Sequence, residues 1–522
     1  MNTLEIITRQ LIKDKPETRK KLSDAKRQAA GKLKLPPPLS ADIFRIYQKL
    51  LRQKKIKRNE QLEALLKKRE VRTISGVAPI AVLTKPYPCP GKCAYCPTEK
   101  NMPKSYLSNE PAVMRAITFN FDPKQQVSGR IKVLEMNGHP TDKLELIVIG
   151  GTWSALPDRY QKWFIQKCFE GANGKKSKNL AAAQKMNETA KHRIIGITLE
   201  TRPDRITPKE IIKMRNLGAT RVELGIQSIY NSILQRNCRG HNVLATIRAT
   251  KLLKDSGFKI CYHVMPNLPS STPAKDLKMF QEIFTNPNFQ PDMLKIYPCV
   301  VTRGSEIYKW WKQGKYKPYS EKQLVELLIN IKKIIPPYIR VNRLIRDIPG
   351  PSIEAGNKIS NLREVITTEM IRRGFACKCI RCREVGHQKN LKHSVPKLFI
   401  KKYPASGGTE YFISFDSPNK KILYAFVRLR IPDFKTEPIL PELKNTALIR
   451  ELHTYGHLVP IDKNSPDATQ HLGLGKKLMA EAEKIARKMK VKKMAVISGV
   501  GVREYYKKLG YHLEGTYMVK FL

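Results

Sequence analysis

Acidic residues are scarce in this 522-residue sequence: 45 Asp plus Glu stand against 97 Lys plus Arg, a net charge of +52. A compact chain with that excess repels itself unless a polyanion lies nearby, so nucleic acid is the first partner to consider, beside a generally lysine-rich background. Long apolar runs are also missing. The longest, such as Leu146–Gly151 and Ile194–Leu199, are of strand length, which excludes a membrane-spanning segment. Residues Met1–Lys20 carry charges throughout and so lack a signal core. The expectation is a soluble cytoplasmic protein with no membrane partner. No internal repeat or low-complexity tract appears, while 41% hydrophobic residues exclude whole-chain disorder and the length suggests two to four domains.

Ten cysteines are present, and they are unevenly spread. Cys89, Cys93 and Cys96 form one cluster and Cys377, Cys379 and Cys382 another, whereas Cys168, Cys238, Cys261 and Cys299 stand singly and read as small buried hydrophobes. In a reducing compartment such clusters point to metal ligation rather than to disulfides.

Residues 1–72 hold 21 Lys plus Arg against 8 Asp plus Glu, with apolar residues at helical spacing from Ile43 to Leu66. This is a basic helical module, broken once at Pro36–Pro38, and its charge suits RNA contact or a solvated face. From residue 73 to 375, apolar runs at Ala78–Leu83, Leu144–Gly150, Ile194–Glu200, Arg221–Gln227, Lys259–Met265 and Met293–Pro298 alternate with helical patterns such as Pro208–Leu217 and Val243–Ser256. Repeated βα units predict a parallel sheet, open or closed into a partial barrel, with ligands at the carboxyl ends of its strands. Gly171–Lys191 reads as a polar, partly mobile insertion. Residues 376–394 make a cysteine-rich hinge, and 395–522 a mixed α+β module with strands at Tyr411–Phe415, Ile422–Ile431, Ile449–Leu458 and Lys493–Ile497 and helices at Gly475–Met489 and Arg503–Leu509.

The spacing C-x3-C-x2-C at Cys89, Cys93 and Cys96 lets three thiolates hold three irons of a 4Fe-4S cubane and leaves the fourth open. That iron can chelate S-adenosylmethionine, and reductive cleavage yields a 5′-deoxyadenosyl radical. With Tyr95 before the third cysteine, the motif resembles the radical-SAM superfamily, against a zinc site as the alternative. Within that resemblance Gly150, Gly151 and Thr152 would receive the methionine amino group. Gln470, His471, Leu472, Gly473 and Gly475 open a helix whose free N–H groups can cradle a pyrophosphate. The pattern Q-x-x-G-x-G resembles the acetyl-CoA turn of GNAT acetyltransferases, and Tyr505 or Tyr506 downstream would stand beside the thioester as the acid for the leaving thiolate. The trio Cys377, Cys379 and Cys382 suggests structural zinc, with His387 or water as fourth ligand, or a second iron–sulfur cluster.

In this order, and with the stretches Lys85–Cys96, Glu110–Ala116, Ile149–Thr152, Thr198–Asp204, Glu223–Ser228, Cys377–Gly386, Arg450–Gly456 and Ile497–Tyr511, the chain resembles the Elongator catalytic-subunit family of tRNA-modifying enzymes. The resemblance implies an α/β fold: a partial (β/α) radical-SAM barrel fused to an α+β GNAT domain, with a basic tRNA-binding N-terminal module. It implies a tRNA carboxymethyluridine synthase of the acyltransferase class, which attaches a carboxymethyl group to C5 of the wobble uridine with acetyl-CoA as carbon source. Partners would be the tRNA anticodon stem-loop and an electron donor for the cluster, with a homodimer left open. Carried over by position, Cys89, Cys93 and Cys96 would hold the cluster and Lys143 would contact acetyl-CoA from the barrel side. Glu451, Leu452, His453 and Thr454 would line the acyl arm, and Tyr505 and Tyr506 would face the thioester. After Cys96 the chain reads Pro-Thr-Glu-Lys where many relatives have Pro-Gly-Gly, and its compact cysteine spacing favours an archaeal or bacterial type. The rival reading is a histone-type lysine acetyltransferase with a structural iron–sulfur barrel and Glu451 as base; an RNA-binding protein without catalysis is a third.

Overall fold

The computed structural model describes residues 3–66, 73–388, 394–455 and 473–522. The basic N-terminal run folds as four helices, Thr3–Asp14, Arg19–Gly31, Ser40–Arg52 and Glu60–Leu66. It is therefore broken three times rather than once at the prolines. Lys15 and Lys54 adopt φ of 42° and 54°, which no helix continues, and the side chains of Thr18 and Asn59 each accept a backbone N–H to start the next helix. Ile7, Leu11, Leu22, Ile43, Phe44, Tyr47, Leu62 and Leu66 close a small core of their own. Phe44 meets the next module at Gly138, where an added Cβ would fall 2.8 Å from the Phe44 ring.

Seven strands then form one parallel sheet in sequence order: β1 (Ala78–Leu83), β2 (Lys143–Ile149), β3 (Arg193–Thr201), β4 (Arg221–Gln227), β5 (Lys259–Val264), β6 (Met293–Ile296) and β7 (Arg340–Arg343). β1 and β7 stay unpaired with each other, so the sheet curls into a half-barrel. Helices such as Pro208–Asn216 and Val243–Asp255 follow strands and cover the outside. The segment expected as a polar insertion is folded: the helix Asp158–Asn173 runs into it, a second helix spans Leu180–Asn187, and the buried Glu170 carboxylate accepts from Ser177 N at 3.1 Å. β7 escapes the apolar pattern because it reads Arg-Val-Asn-Arg.

The second sheet has the order β13-β14-β12-β11-β10-β9-β8, with β8 (Lys397–Ala405), β9 (Gly408–Asp416), β10 (Leu423–Ile431), β11 (Thr446–Thr454), β12 (Lys493–Val496), β13 (His512–Glu514) and β14 (Tyr517–Phe521). Its pairs are antiparallel except β11 with β12, which run parallel, and the helix Leu474–Lys488 connects these two.

The two sheets are joined by buried charge. Arg450 on β11 holds both oxygens of Asp292, just before β6, at 2.5 and 2.8 Å, and reaches Glu410 on β9 at 2.9 Å. Arg428 on β10 donates to Glu451 at 2.9 Å and to the Tyr338 carbonyl at 2.7 Å, while Arg430 binds Asp255 at 2.5 Å. Ions so deeply buried contribute little net stability as pairs, but each becomes costly when its partner is removed. The network therefore fixes the relative placement of the two sheets. Among the described residues no helix is long and apolar enough to cross a membrane.

Candidate active site

The loop after β1 carries Cys89, Cys93 and Cys96, and all three line one cavity of about 1270 Å³. Cys93 is buried and accepts from Arg239 Nη1 at 3.3 Å. A hydrogen bond from Cys96 and the adjacent guanidinium push its thiol down to about 4, and the same pairing pushes Cys96 up. One thiolate already stands where an iron ligand must be deprotonated, so the donor set fits a cluster. Cys89 Sγ lies 3.5 Å from Thr152 Oγ1. Gly151 and Thr152 form the cavity wall, while Gly150 stands behind it with φ of 131°; a Cβ there would strike Thr84 Oγ1 at 2.2 Å.

The cavity runs down the inside of the half-barrel. Side chains alternate on β2: Leu144, Leu146 and Val148 are buried outward, while Lys143, Glu145, Ile147 and Ile149 face the lumen. The cysteine loop lies at the carboxyl ends of the strands. Lys143, Arg193 and Lys259 stand at the amino ends, one strand length or about 20 Å away for seven residues.

At that amino end the second module completes the wall with Glu451, Leu452, His453 and Thr454, Gly473 and Gly475, and Tyr505 and Tyr506. Gln470, His471 and Leu472 lie outside the described residues. Gly473, at φ 65°, begins the helix Leu474–Lys488, and a Cβ on Gly475 would meet Tyr505 Oη at 2.8 Å, so the phenol sits at the opening turn. Tyr505 and Tyr506 stack edge to face with centroids 5.2 Å apart. Burial raises the pKa of both, that of Tyr506 the further since it also faces Tyr505 and Glu451. Both phenols are therefore protonated and can donate a hydrogen bond into the lumen. Lys143 is half-buried, and desolvation lowers its pKa against the pull of Asp142.

Glu451 is 8% exposed and lies 3.5 Å from Lys259 and 2.9 Å from Arg428. Although burial opposes it, those two cations hold its carboxyl at about 2, which makes it a poor base for lysine acetylation. His453 Nε2 donates to the Ser75 carbonyl oxygen, 2.8 Å away, and burial lowers its pKa.

The second cysteine trio packs between the sheets, where Arg383 bridges Asp416 at 3.0 Å and the Pro337 carbonyl at 2.8 Å. The sulfurs of Cys377, Cys379 and Cys382 lie within 4.8 Å of one another. A tetrahedral ion with bonds of about 2.3 Å brings its sulfurs to about 3.8 Å, so this set fits a single zinc. His387 Nε2 lies 3.0 Å from Glu384 Oε1 and is drawn to that carboxylate instead of to the cysteines. Of the four single cysteines, Cys168, Cys261 and Cys299 are buried; Cys238 is exposed, contrary to expectation.

Charged groups to which the sequence pattern assigned no role line the lumen, although Glu200 closes a predicted strand and Glu223 opens the family-like stretch Glu223–Ser228. Glu200, Arg221, Glu223, His263 and Lys295 all face the lumen. The signal was there: Arg221-x-Glu223 and Lys259-x-Cys261-x-His263 place chemistry at every second residue of otherwise apolar strands.

A half-barrel with this cysteine loop is of the radical-SAM class. Residues 87–282 match the model described as Radical SAM superfamily and 291–372 that of the Radical_SAM C-terminal domain. The tRNA uridine(34) acetyltransferase of Methanocaldococcus infernus is 50% identical over 88% of this chain and 88% of its own length. The human Elongator complex protein 3 is 43% identical over 88% and 86%. The solved structure of the M. infernus Elp3 lacking residues 1–46 superposes with a TM-score of 0.77 at 47% identity, covering 86% of this chain and all of that one. The chain belongs to the tRNA uridine(34) acetyltransferase and Elongator complex protein 3 family.

Proposed function

We propose that this protein modifies the wobble uridine of tRNA by attaching a carboxymethyl group to C5, drawing the carbons from acetyl-CoA. One observation carries the reading: the cysteine loop and the acyl end open on the same lumen. C5 of uracil is too weak a nucleophile for ordinary acyl transfer, and the acetyl methyl is only weakly acidic. When bound, a 4Fe-4S cluster and S-adenosylmethionine supply a primary carbon radical that can activate that methyl for addition to C5.

The chain's own groups then divide the work. Cys89, Cys93 and Cys96 would hold the cluster, with Arg239 stabilising thiolate charge at Cys93. Gly473 and Gly475 would take the pyrophosphate on the opening turn of their helix, and Lys143 and the two tyrosines would hold the thioester by hydrogen bonds. The wobble base has to leave its stack to enter the lumen. The N-terminal helices would grip tRNA phosphates. Cys377, Cys379 and Cys382 would bind zinc in a structural role.

Release of CoA with and without tRNA tests this. Release that rises with tRNA and depends on Lys143 supports it; fast release indifferent to both returns the reading to protein acetylation.

A further inference from the structure

We propose that His263 is the base that takes the C5 proton of the uridine after the new carbon–carbon bond has formed, with Glu223 and Lys295 as its positioning residues. The assignment rests on the carboxymethylation reading above.

His263 stands on β5, and Glu223 on β4 lies level with Cys261, two residues further from the cysteine loop. His263 Nε2 and Glu223 Oε2 are 2.7 Å apart. Lys295 Nζ, from β6, contacts the same oxygen and reaches Glu200 Oε1 at 3.1 Å. Arg221 Nη2 lies 3.5 Å from the other oxygen of Glu223. Burial opposes ionisation of Glu223, yet Lys295, His263 and Arg221 together hold it well below the usual carboxylate range. A charged carboxylate fixes the proton on Nε2, so the lone pair is left on Nδ1. Among the described residues Nδ1 takes no hydrogen bond, and the Tyr297 ring meets the imidazole edge-on at 5.4 Å and holds its plane. The side chain keeps 14% of its surface on the lumen.

Ligands of Glu223, Cys261 and His263 also lie within 4.8 Å of one another, the spacing of a metal site. Lys295 already supplies the cation there, so the cluster is built for proton transfer. The neighbouring groups cannot do it. Arg221 and Lys295 are cations, Glu145 is taken by Arg221, and Glu200 accepts from Lys295 and from Tyr106 Oη at 3.1 Å.

The step balances as follows. Addition of the carbon radical to C5 leaves an unpaired electron at C6 and both hydrogen and the new substituent on C5. The C5–H bond breaks, its proton forms the N–H bond at Nδ1, and one electron leaves to an acceptor of the iron–sulfur class. The C5–C6 double bond is restored, while the thioester is hydrolysed separately by water.

The test uses anaerobically reconstituted full-length protein with tRNA, S-adenosylmethionine, acetyl-CoA and a one-electron reductant. For His263→Ala the carboxymethyl product should fall by about 10²-fold or more. 5′-Deoxyadenosine formation and CoA release should continue, a 5,6-dihydro adduct should accumulate in the tRNA as the C6 radical takes an electron from the reductant and a proton from water, and added imidazole should restore product. Glu223→Gln should give a smaller loss. Wild-type product levels in His263→Ala overturn the assignment. So does a joint loss of 5′-deoxyadenosine, CoA release and product without imidazole rescue, which marks a structural residue. A wild type that forms no carboxymethyluridine sinks the underlying reading, and this assignment with it.

Discussion

Gly499 is pressed against Ile195 on β3: a Cβ at that glycine would fall 2.0 Å from the Ile195 carbonyl oxygen. Gly501 is equally constrained, its Cβ position lying 2.7 Å from Arg193 Cβ and 2.9 Å from the Ile194 carbonyl. These glycines bring the turn before the short helix Arg503–Lys507, which carries Tyr505 and Tyr506, onto the amino end of the lumen. Gly499→Ala must push backbone away from backbone, so we expect a loss of about 1–3 kcal/mol in stability, read by urea unfolding. Product formation should fall further than acetyl-CoA binding, because the opening turn of the helix Leu474–Lys488 is untouched.

Arg450→Met should cost about 3–5 kcal/mol, since it strands Asp292 and Glu410 as buried carboxylates. Chemical denaturation checks this. A loss under 1 kcal/mol would mean that the network does not hold the sheets together.

Acid should loosen the same interface. Glu451 has its folded-state pKa depressed to about 2, so its stabilising contribution is complete above the unfolded value of about 4.3 and is lost as pH falls towards 2. Arg428→Met removes one of the cations that depress it. The variant should therefore show a shallower loss of melting temperature between about pH 4.3 and 2 than the wild type.

Tyr505→Phe and Tyr506→Phe should separate two roles. A tyrosine that only donates a hydrogen bond to the thioester should slow CoA release by about tenfold when replaced, whereas the one that acts as general acid should slow it by about 10²–10⁴-fold. Stopped-flow detection of free thiol measures it, and a pH-independent effect is expected.

Removing zinc should leave the iron chromophore alone. Cys379→Ser should abolish one equivalent of zinc by elemental analysis and lower the melting temperature while brown absorbance persists. Cys93→Ala should do the reverse.

Much of this fold was written in apolar runs: β1, β4 and the helix Leu474–Lys488 fall almost where Ala78–Leu83, Arg221–Gln227 and Gly475–Met489 placed them. β7 and β8 were not, because Arg340–Arg343 carries two arginines and β8 reads Lys-Leu-Phe-Ile-Lys-Lys, an exposed strand at a sheet edge. The cysteine spacing declared its chemistry in sequence, since ligation depends on local reach. The lumen did not, because Glu200, Glu223, His263 and Lys295 lie on four different strands and meet only when the sheet curls. The same holds for Glu451. Its place beside the acyl turn made it look like a base, whereas Lys259 and Arg428, distant in sequence, keep it an ionised strut.

The central claim is that carbon from acetyl-CoA reaches C5 of the wobble uridine through one shared lumen. Its most direct test is mass spectrometry of wobble nucleosides from tRNA incubated with anaerobically reconstituted protein, S-adenosylmethionine, a reductant and acetyl-CoA labelled at the methyl carbon. The account predicts a carboxymethyl group on the uridine that carries the label, absent in Cys93→Ala and much reduced in Lys143→Ala. Labelled acetyl groups on protein lysines with unmodified uridine would contradict it.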